Sequence, residues 1–256
     1  MFVVHLHKRY FIFFNMSSSS TVPKGSYDLI YFDIPALGET VRLTMYLAGI
    51  TFEDTRLSGA DFKETYKEKT PYGQMPVLTF PDGKTRVAQQ RAITRYFGKF
   101  AVVDGGKKLY PDNAMDALFV DEMNDAVWDI QGRMAKTFSM SGEERKAARE
   151  NLFNKDKGGF CYEITKKVDE RIAAHGKTYS VSDYLTLADI SLFTWMNTLR
   201  CGVLDHIPKD YLSGFPEIAK RVKAIGKHPL VAKYYTQDKM AKHPKGHYAC
   251  FQPGVL

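Results

Sequence analysis

Three short stretches of this 256-residue chain combine residue types that could do chemistry. The first is Tyr31, at the C-terminal end of the alternating segment Tyr27–Phe32 and ahead of a helical pattern. In open α/β folds, ligands gather at that edge of the sheet. A phenol there can donate a hydrogen bond to a thiolate. A free thiol ionises near pH ~8.5, so one strong donor raises its reactive fraction at neutral pH. Equally, Tyr31 is one of fifteen tyrosines, in a half-buried strand. The second stretch is Gly73-Gln74-Met75-Pro76-Val77-Leu78. A proline directly opening a strand cannot donate to the ladder. A cis Met75–Pro76 bond would leave the Met75 N–H and C=O at a sheet edge, able to pair with an extended peptide. An edge-strand proline with no ligand fits the same residues. The third is Gln89-Gln90-Arg91-Ala92-Ile93-Thr94-Arg95-Tyr96, a strand running straight into a helix. Free N–H groups at a helix start, with polar side chains beside them, make a carboxylate site. Taken alone, this stretch is an ordinary strand-to-helix junction.

The elements that must position these groups are legible from periodicity. Tyr27–Phe32 reads as a strand stopped by Asp33-Ile34-Pro35, and Gly38–Ala48 as a helix with Gly49 past its end. Thr51–Leu57 is a second strand, and Ala60–Lys69 is charged and weakly helical. Met75–Phe80 is a third strand, turned by Pro81-Asp82-Gly83 into a fourth, Thr85–Ala88. Arg91–Phe100 is a helix. Val103–Asp112, with Asp-Gly-Gly and Tyr-Pro-Asp, is a linker. Beyond it, Ala114–Phe138, Gly142–Ala174, Leu187–Leu199 and Phe215–Ile225 read as helices, with no strand among them. A small α/β domain over 27–102 is therefore followed by an all-helical one over 113–236. The first 26 residues read as an extension outside the fold: a disordered segment, residues upstream of a start at Met16 or, being basic, Ser-rich and free of acids, a transit peptide. Residues 237–256 form a basic tail, which either folds back over the substrate pocket or is disordered.

Composition excludes several classes. With 44% hydrophobic and 25% charged residues, the chain is ordinarily globular. No apolar run approaches the ~20 residues of a membrane helix, so a soluble, membrane-independent protein is expected. The net charge of +7 resides at the ends. From Ala219 onward there are eight Lys/Arg and one acid, and the first 26 residues add three cations and no acid, which leaves the body near −3. With no interleaved stacking aromatics, nucleic acid is not an expected partner. Cys161, Cys201 and Cys250 are odd in number and widely spaced, which argues for a reducing compartment rather than a disulfide framework. His243 and His247 are four apart in the Pro/Gly-containing tail, but nothing completes a ligand set, so no metal is expected.

Together, the phenol, the proline-anchored strand edge and the helix start meet the needs of a γ-glutamyl tripeptide: an activated thiol, a paired backbone and held carboxylates. Leu29–Asp33, Gly38–Arg42, Tyr72–Leu78, and Gln89 with Arg91–Tyr96 resemble the cytosolic glutathione transferase family, most closely its sigma class, which includes prostaglandin D synthases. Thr186-Leu187-Ala188-Asp189 resembles the capping box that starts the family's buried helix. The resemblance spans about Tyr27 to Tyr235. It implies a thioredoxin-like N-terminal domain, glutathione as co-substrate, and conjugation to small hydrophobic electrophiles, with isomerase or peroxidase chemistry within the same family. It further implies a cytoplasmic homodimer.

The resemblance also assigns residues. Tyr31 is the catalytic hydroxyl that stabilises the glutathione thiolate, Met75 the backbone partner of its cysteinyl part and Pro76 the cis-proline. Gln74, Phe62 and Lys67 approach the glycyl end, while Gln89 and Gln90 approach the γ-glutamyl end. Asp125 reaches the neighbouring subunit's glutathione. The hydrophobic site is expected between the domains, where the helices after Ala114 face the thiol. Met123, Val127, Trp128 and Met134 are candidates for its lining, and ordinary helix core fits each of them equally. Two positions depart from the family: Gln90 stands where a Ser or Thr is usual, and Leu37 where many sigma members carry an Arg. The family also contains weakly catalytic ligand carriers and lens proteins, so a carrier or structural role is the alternative expectation.

Overall fold

In the computed structural model, residues 21–237 and 246–253 are described. The first 20 residues of the N-terminal extension, and residues 238–245 of the tail with His243 among them, lie outside the described residues. The N-terminal unit runs β1 (Tyr27–Phe32), α1 (Ala36–Leu47), β2 (Phe52–Leu57), β3 (Val77–Thr79), β4 (Arg86–Ala88) and a helix over Gln90–Gly98. Its four strands are ordered β2-β1-β3-β4, with β1 parallel to β2 and antiparallel to β3, and β3 antiparallel to β4. The weakly helical stretch after β2 resolves into three short turns. These are the single-turn helix α2 (Gly59–Asp61), a π-type turn over Phe62–Tyr66 and a 3₁₀ turn over Lys67–Lys69. A Ser58–Asp61 capping box starts them. The Gln90–Gly98 helix is α3. Period-2 alternation turns Tyr27 and Leu29 of β1 toward Val41 and Met45 of α1 and toward Ile93 and Phe97 of α3, forming one core. Outside β1, Val22 packs on that core, and the Tyr27 hydroxyl donates to the Pro23 carbonyl at 2.9 Å.

The helical unit comprises α4 (Ala114–Ala135), α5 (Gly142–Leu152), α6 (Phe160–His175), α7 (Leu187–Arg200), α8 (Pro216–Lys227) and α9 (Pro229–Tyr235). The single helix expected over Gly142–Ala174 is two. Residues 153–159 break it, and a Cβ at Gly159 would lie 2.2 Å from the Asn151 carbonyl oxygen, a close approach only glycine allows. The linker is tied down rather than free, because Leu109 is buried and its carbonyl accepts from the Leu187 N–H at 2.8 Å. Every residue of α7 from Leu187 to Leu199 is buried, which makes it the axis of the helical core. It meets the first unit along α1, where the Thr40 and Thr194 hydroxyls share a hydrogen bond of 2.7 Å. The described part of the tail folds back as well: a 3₁₀ turn over Ala249–Phe251 packs on α7, and Phe251 stacks near Phe193 and Tyr235. It seats beside α1, α7 and α9.

Candidate active site

The sheet register alone aligns the three motifs. β1 and β3 pair Ile30 with Val77, and β3 and β4 pair Val77 with Ala88. Continuing both ladders by one residue puts Tyr31, Pro76 and Gln89 in one row across the same end of the sheet. The Met75–Pro76 bond is cis, and β3 pairing starts only at Val77. Gln74, Met75, Pro76, Gln89 and Gln90 line one cleft together with Leu37 and Trp128. Gln89 holds a positive φ of 75°, rare for a residue with a side chain, at the point where the chain turns from β4 into α3. Gln90 is buried at the first turn of α3. Phe62 packs edge-on against Phe32, 5.5 Å between ring centroids, in the cluster that also holds Tyr31, Met75 and Leu37. Lys67 is exposed, its stem lying 3.9 Å from where a Gly73 Cβ would stand, beside Gln74.

Tyr31 is 5% exposed and is clamped by α1. A Cβ at Gly38 would come 2.3 Å from the Tyr31 ring, so the first turn of the helix rests directly on it. Burial pushes the Tyr31 phenol up to about 12, against the opposing influence of the Leu37 backbone N–H and the Arg42 charge. The sign matters for the chemistry. A raised phenol is protonated at neutral pH and acts as a hydrogen-bond donor to an anion, not as a phenolate base. The tyrosinate absorbance of the protein minus that of its Tyr31→Phe variant should therefore show no ionisation below pH 10. A midpoint under 9 would reverse this assignment of roles.

Sequence reasoning gave Arg42 no role, although its helical spacing from Gly38 was visible. Its guanidinium is buried, lies 5.8 Å from the Tyr31 ring centroid and bonds Asp54 at 2.9 Å. It also donates to the Ile34 carbonyl at 3.1 Å and the Phe32 carbonyl at 3.4 Å. A cation from α1 thus stands over the Tyr31 ring, although Glu39 and Asp54 largely neutralise it.

Three of the four expected lining residues are elsewhere. Met123, Val127 and Met134 are buried in the helical core, and of the four only Trp128 reaches the cleft, with Arg91 stacked over its ring at 4.9 Å. The reason is helical phase: the apolar stripe of α4 turns to α6 and α7, and Trp128 sits off it. Asp125 is 56% exposed and pairs with Arg91 and Arg95 of its own chain. Burial pushes the Cys161 thiol up to about 12 and the Cys201 thiol up to about 11, which removes both as nucleophiles at neutral pH. Among the described residues no three His, Cys, Asp or Glu side chains gather as metal ligands.

Comparison with known proteins places the chain in a family. Residues 37–99 match the family model for the glutathione S-transferase N-terminal domain, and residues 128–238 match that for its C-terminal domain. Glutathione S-transferase 1 of Ascaris suum is 30% identical over 229 residues, 87% of this chain and 98% of that protein. The solved structure of prostaglandin synthase D of Nilaparvata lugens superposes with a TM-score of 0.68 at 28% identity, covering 86% of this chain and 98% of that one. S-crystallin SL11 of Nototodarus sloanii is 24% identical over 82% of this chain and 95% of that protein. The chain belongs to the glutathione S-transferase family. It is a glutathione transferase, with glutathione as its co-substrate.

Proposed function

We propose that glutathione lies extended across the row formed by Tyr31, Pro76 and Gln89, and that its thiolate is stabilised by the Tyr31 hydroxyl for attack on a small hydrophobic electrophile. The observation that carries this reading is the register, which brings a protonated phenol, an unpaired strand start and a helix N-terminus to one sheet edge. The Met75 backbone pairs with the cysteinyl unit in the manner of an added strand. Gln89 and Gln90, with the first N–H groups of α3, hold the γ-glutamyl carboxylate. Gln74, Phe62 and Lys67 serve the glycyl end. Trp128 and Leu37 form the apolar wall toward the electrophile, on the side where the two domains meet.

The enzyme is of the sigma type and acts as a homodimer in the cytoplasm. Tyr72, 67% exposed beside the glutathione loop, and the apolar groove lined by Met123, Ala126, Ile164 and Val168 between α4 and α6 are what a subunit interface would cover. The exposure of Asp125 supports a role toward the second subunit's glutathione. The three free cysteines suit a reducing compartment, and fractionation of the native cells checks that address.

The purified protein should be retained on immobilised glutathione, elute at twice 29.1 kDa and turn over a generic aryl halide. Elution as a monomer would remove the homodimer, and failure to bind would remove the site. A second reading, a weakly catalytic carrier or structural protein, draws on Leu37, Gln90 and the S-crystallin likeness. Retention without turnover would favour it.

A further inference from the structure

Residues 246–253 lie beyond the family match, which ends at 238, and they are not idle. Tyr248 is 1% exposed, with its hydroxyl at the centre of a buried charged cluster. It donates to Glu39 Oε2 at 3.0 Å and accepts from Arg56 Nη1 at 3.0 Å and Arg42 Nη1 at 3.5 Å, while the Arg56 guanidinium stacks 5.6 Å from the ring centroid. Phe251, wholly buried against Phe193 and Tyr235, seats the segment. The cluster is completed by Asp33 from the β1–α1 turn, Asp54 from β2, and Tyr234 and Tyr235 from α9, the latter donating to Glu39 Oε1 at 3.0 Å.

Arg42 connects this cluster to the reacting edge. It holds the carbonyls of Phe32 and Ile34, which bracket the turn immediately after Tyr31. That turn also sets the first turn of α1 against the Tyr31 ring, where a Cβ at Gly38 would lie 2.3 Å away. A phenol whose ring is held in one orientation is a preorganised donor and needs no reorganisation to meet the developing anion. We propose that Tyr248 is a positioning residue for the glutathione thiolate: its hydroxyl shares the Glu39 charge and so leaves Arg42 free to brace the Tyr31–Leu37 turn. The C-terminal segment is thereby part of the active-site scaffold. Without the Tyr248 hydroxyl, Glu39 draws Arg42 toward itself and away from Ile34, the turn relaxes, and Tyr31 becomes a weaker donor. This rests on the role given to Tyr31 above.

The test is Tyr248→Phe in the full chain, which keeps the ring and its packing. Tyr211→Phe is the control, since Tyr211 is another buried hydroxyl, bonded to Thr165 at 2.8 Å and placed in the helical domain. The first readout needs no catalysis. In protein labelled with 3-fluorotyrosine, the ¹⁹F resonance of Tyr31, identified by its loss in Tyr31→Phe, should move in Tyr248→Phe and stay put in Tyr211→Phe. The second is the pH profile of kcat/KM for glutathione. Its acid limb should move upward by about half a unit in Tyr248→Phe, roughly a threefold loss at pH 6.5 that closes above pH 8.5, with no move in Tyr211→Phe. Phe251→Leu leaves every hydroxyl in place but slackens the seat, and should move both readouts in the same direction by less. It serves as the deciding variant should Tyr248→Phe fail to fold. An unmoved ¹⁹F resonance overturns the proposal, as does a loss of activity uniform across pH. If Tyr31→Phe itself retains turnover, the role of Tyr31 falls, yet the ¹⁹F result still decides whether Tyr248 positions it.

Discussion

Tyr31→Phe should lower kcat/KM by about ten- to a hundredfold near pH 6.5 while leaving glutathione affinity within about threefold. The magnitude follows from the bond removed: a hydrogen bond to a charged acceptor contributes about 1.5–3 kcal/mol, and the whole of it acts on the thiolate rather than the thiol. Converted at 1.36 kcal/mol per unit, the bound thiol's pKa should rise by about 1–2 units. The sign sets the shape of the loss. A thiol with a raised pKa is less ionised at low pH, so the deficit is largest on the acid side and shrinks as pH climbs past ~8.5. Binding survives because the Met75 backbone and the α3 N-terminus, not the phenol, would hold the peptide. The substitution leaves the ring, and hence its contact with the first turn of α1 at Gly38, intact. Titrating the bound thiolate by its ultraviolet absorbance, alongside steady-state rates, checks both halves. Turnover unchanged at pH 6.5 would take Tyr31 out of the reaction.

Asp189→Ala should be the most destabilising of the substitutions considered, by about 3–5 kcal/mol, with a thermal midpoint lower by about 10 °C. Asp189 is wholly buried. Its Oδ2 accepts from the Thr186 N–H and hydroxyl, both at 2.7 Å, and its Oδ1 accepts from the Ser180 N–H at 2.7 Å. Alanine orphans three buried donors at once, each costing about 1–3 kcal/mol. The damage lies at the start of α7, on which α1 rests through the Thr40–Thr194 bond, so the helix under Tyr31 loses its support. Asp189→Asn keeps an acceptor but turns an amide toward a donor, and should recover only about half. Thermal and urea unfolding of both variants decide the matter. A midpoint within 2 °C of the parent for Asp189→Ala would mean that the capping box contributes little.

Much of this was legible in the chain. The alternation of Tyr27–Phe32, the turn at Pro81-Asp82-Gly83 and the 3.6-residue stripe of α4 each state a local preference, and local preferences survive into the fold. The Thr186–Asp189 box is likewise visible because both its partners lie within one turn. What failed were statements about phase and termination. Residues 153–159 break an otherwise helical run, and the signal was present in Asn154 and the Gly158–Gly159 pair. Met123, Val127 and Met134 were candidates for the ligand or for ordinary helix core, and they are core: position on a helix near the site does not say which neighbour its apolar stripe faces.

The sequence by itself determined the order of elements, the proline that opens β3, the phenol at the end of β1 and the absence of any cation at position 37. These depend on residues near one another in the chain. Only the tertiary structure decided that Arg42 stands over Tyr31, that Trp128 joins the cleft and that Tyr248, 206 residues beyond Arg42, meets the buried charges of α1 and β2. Such pairings are set by which surfaces exclude water together. A buried guanidinium has five donors to satisfy, and it finds its acceptors wherever packing brings them, regardless of their distance along the chain.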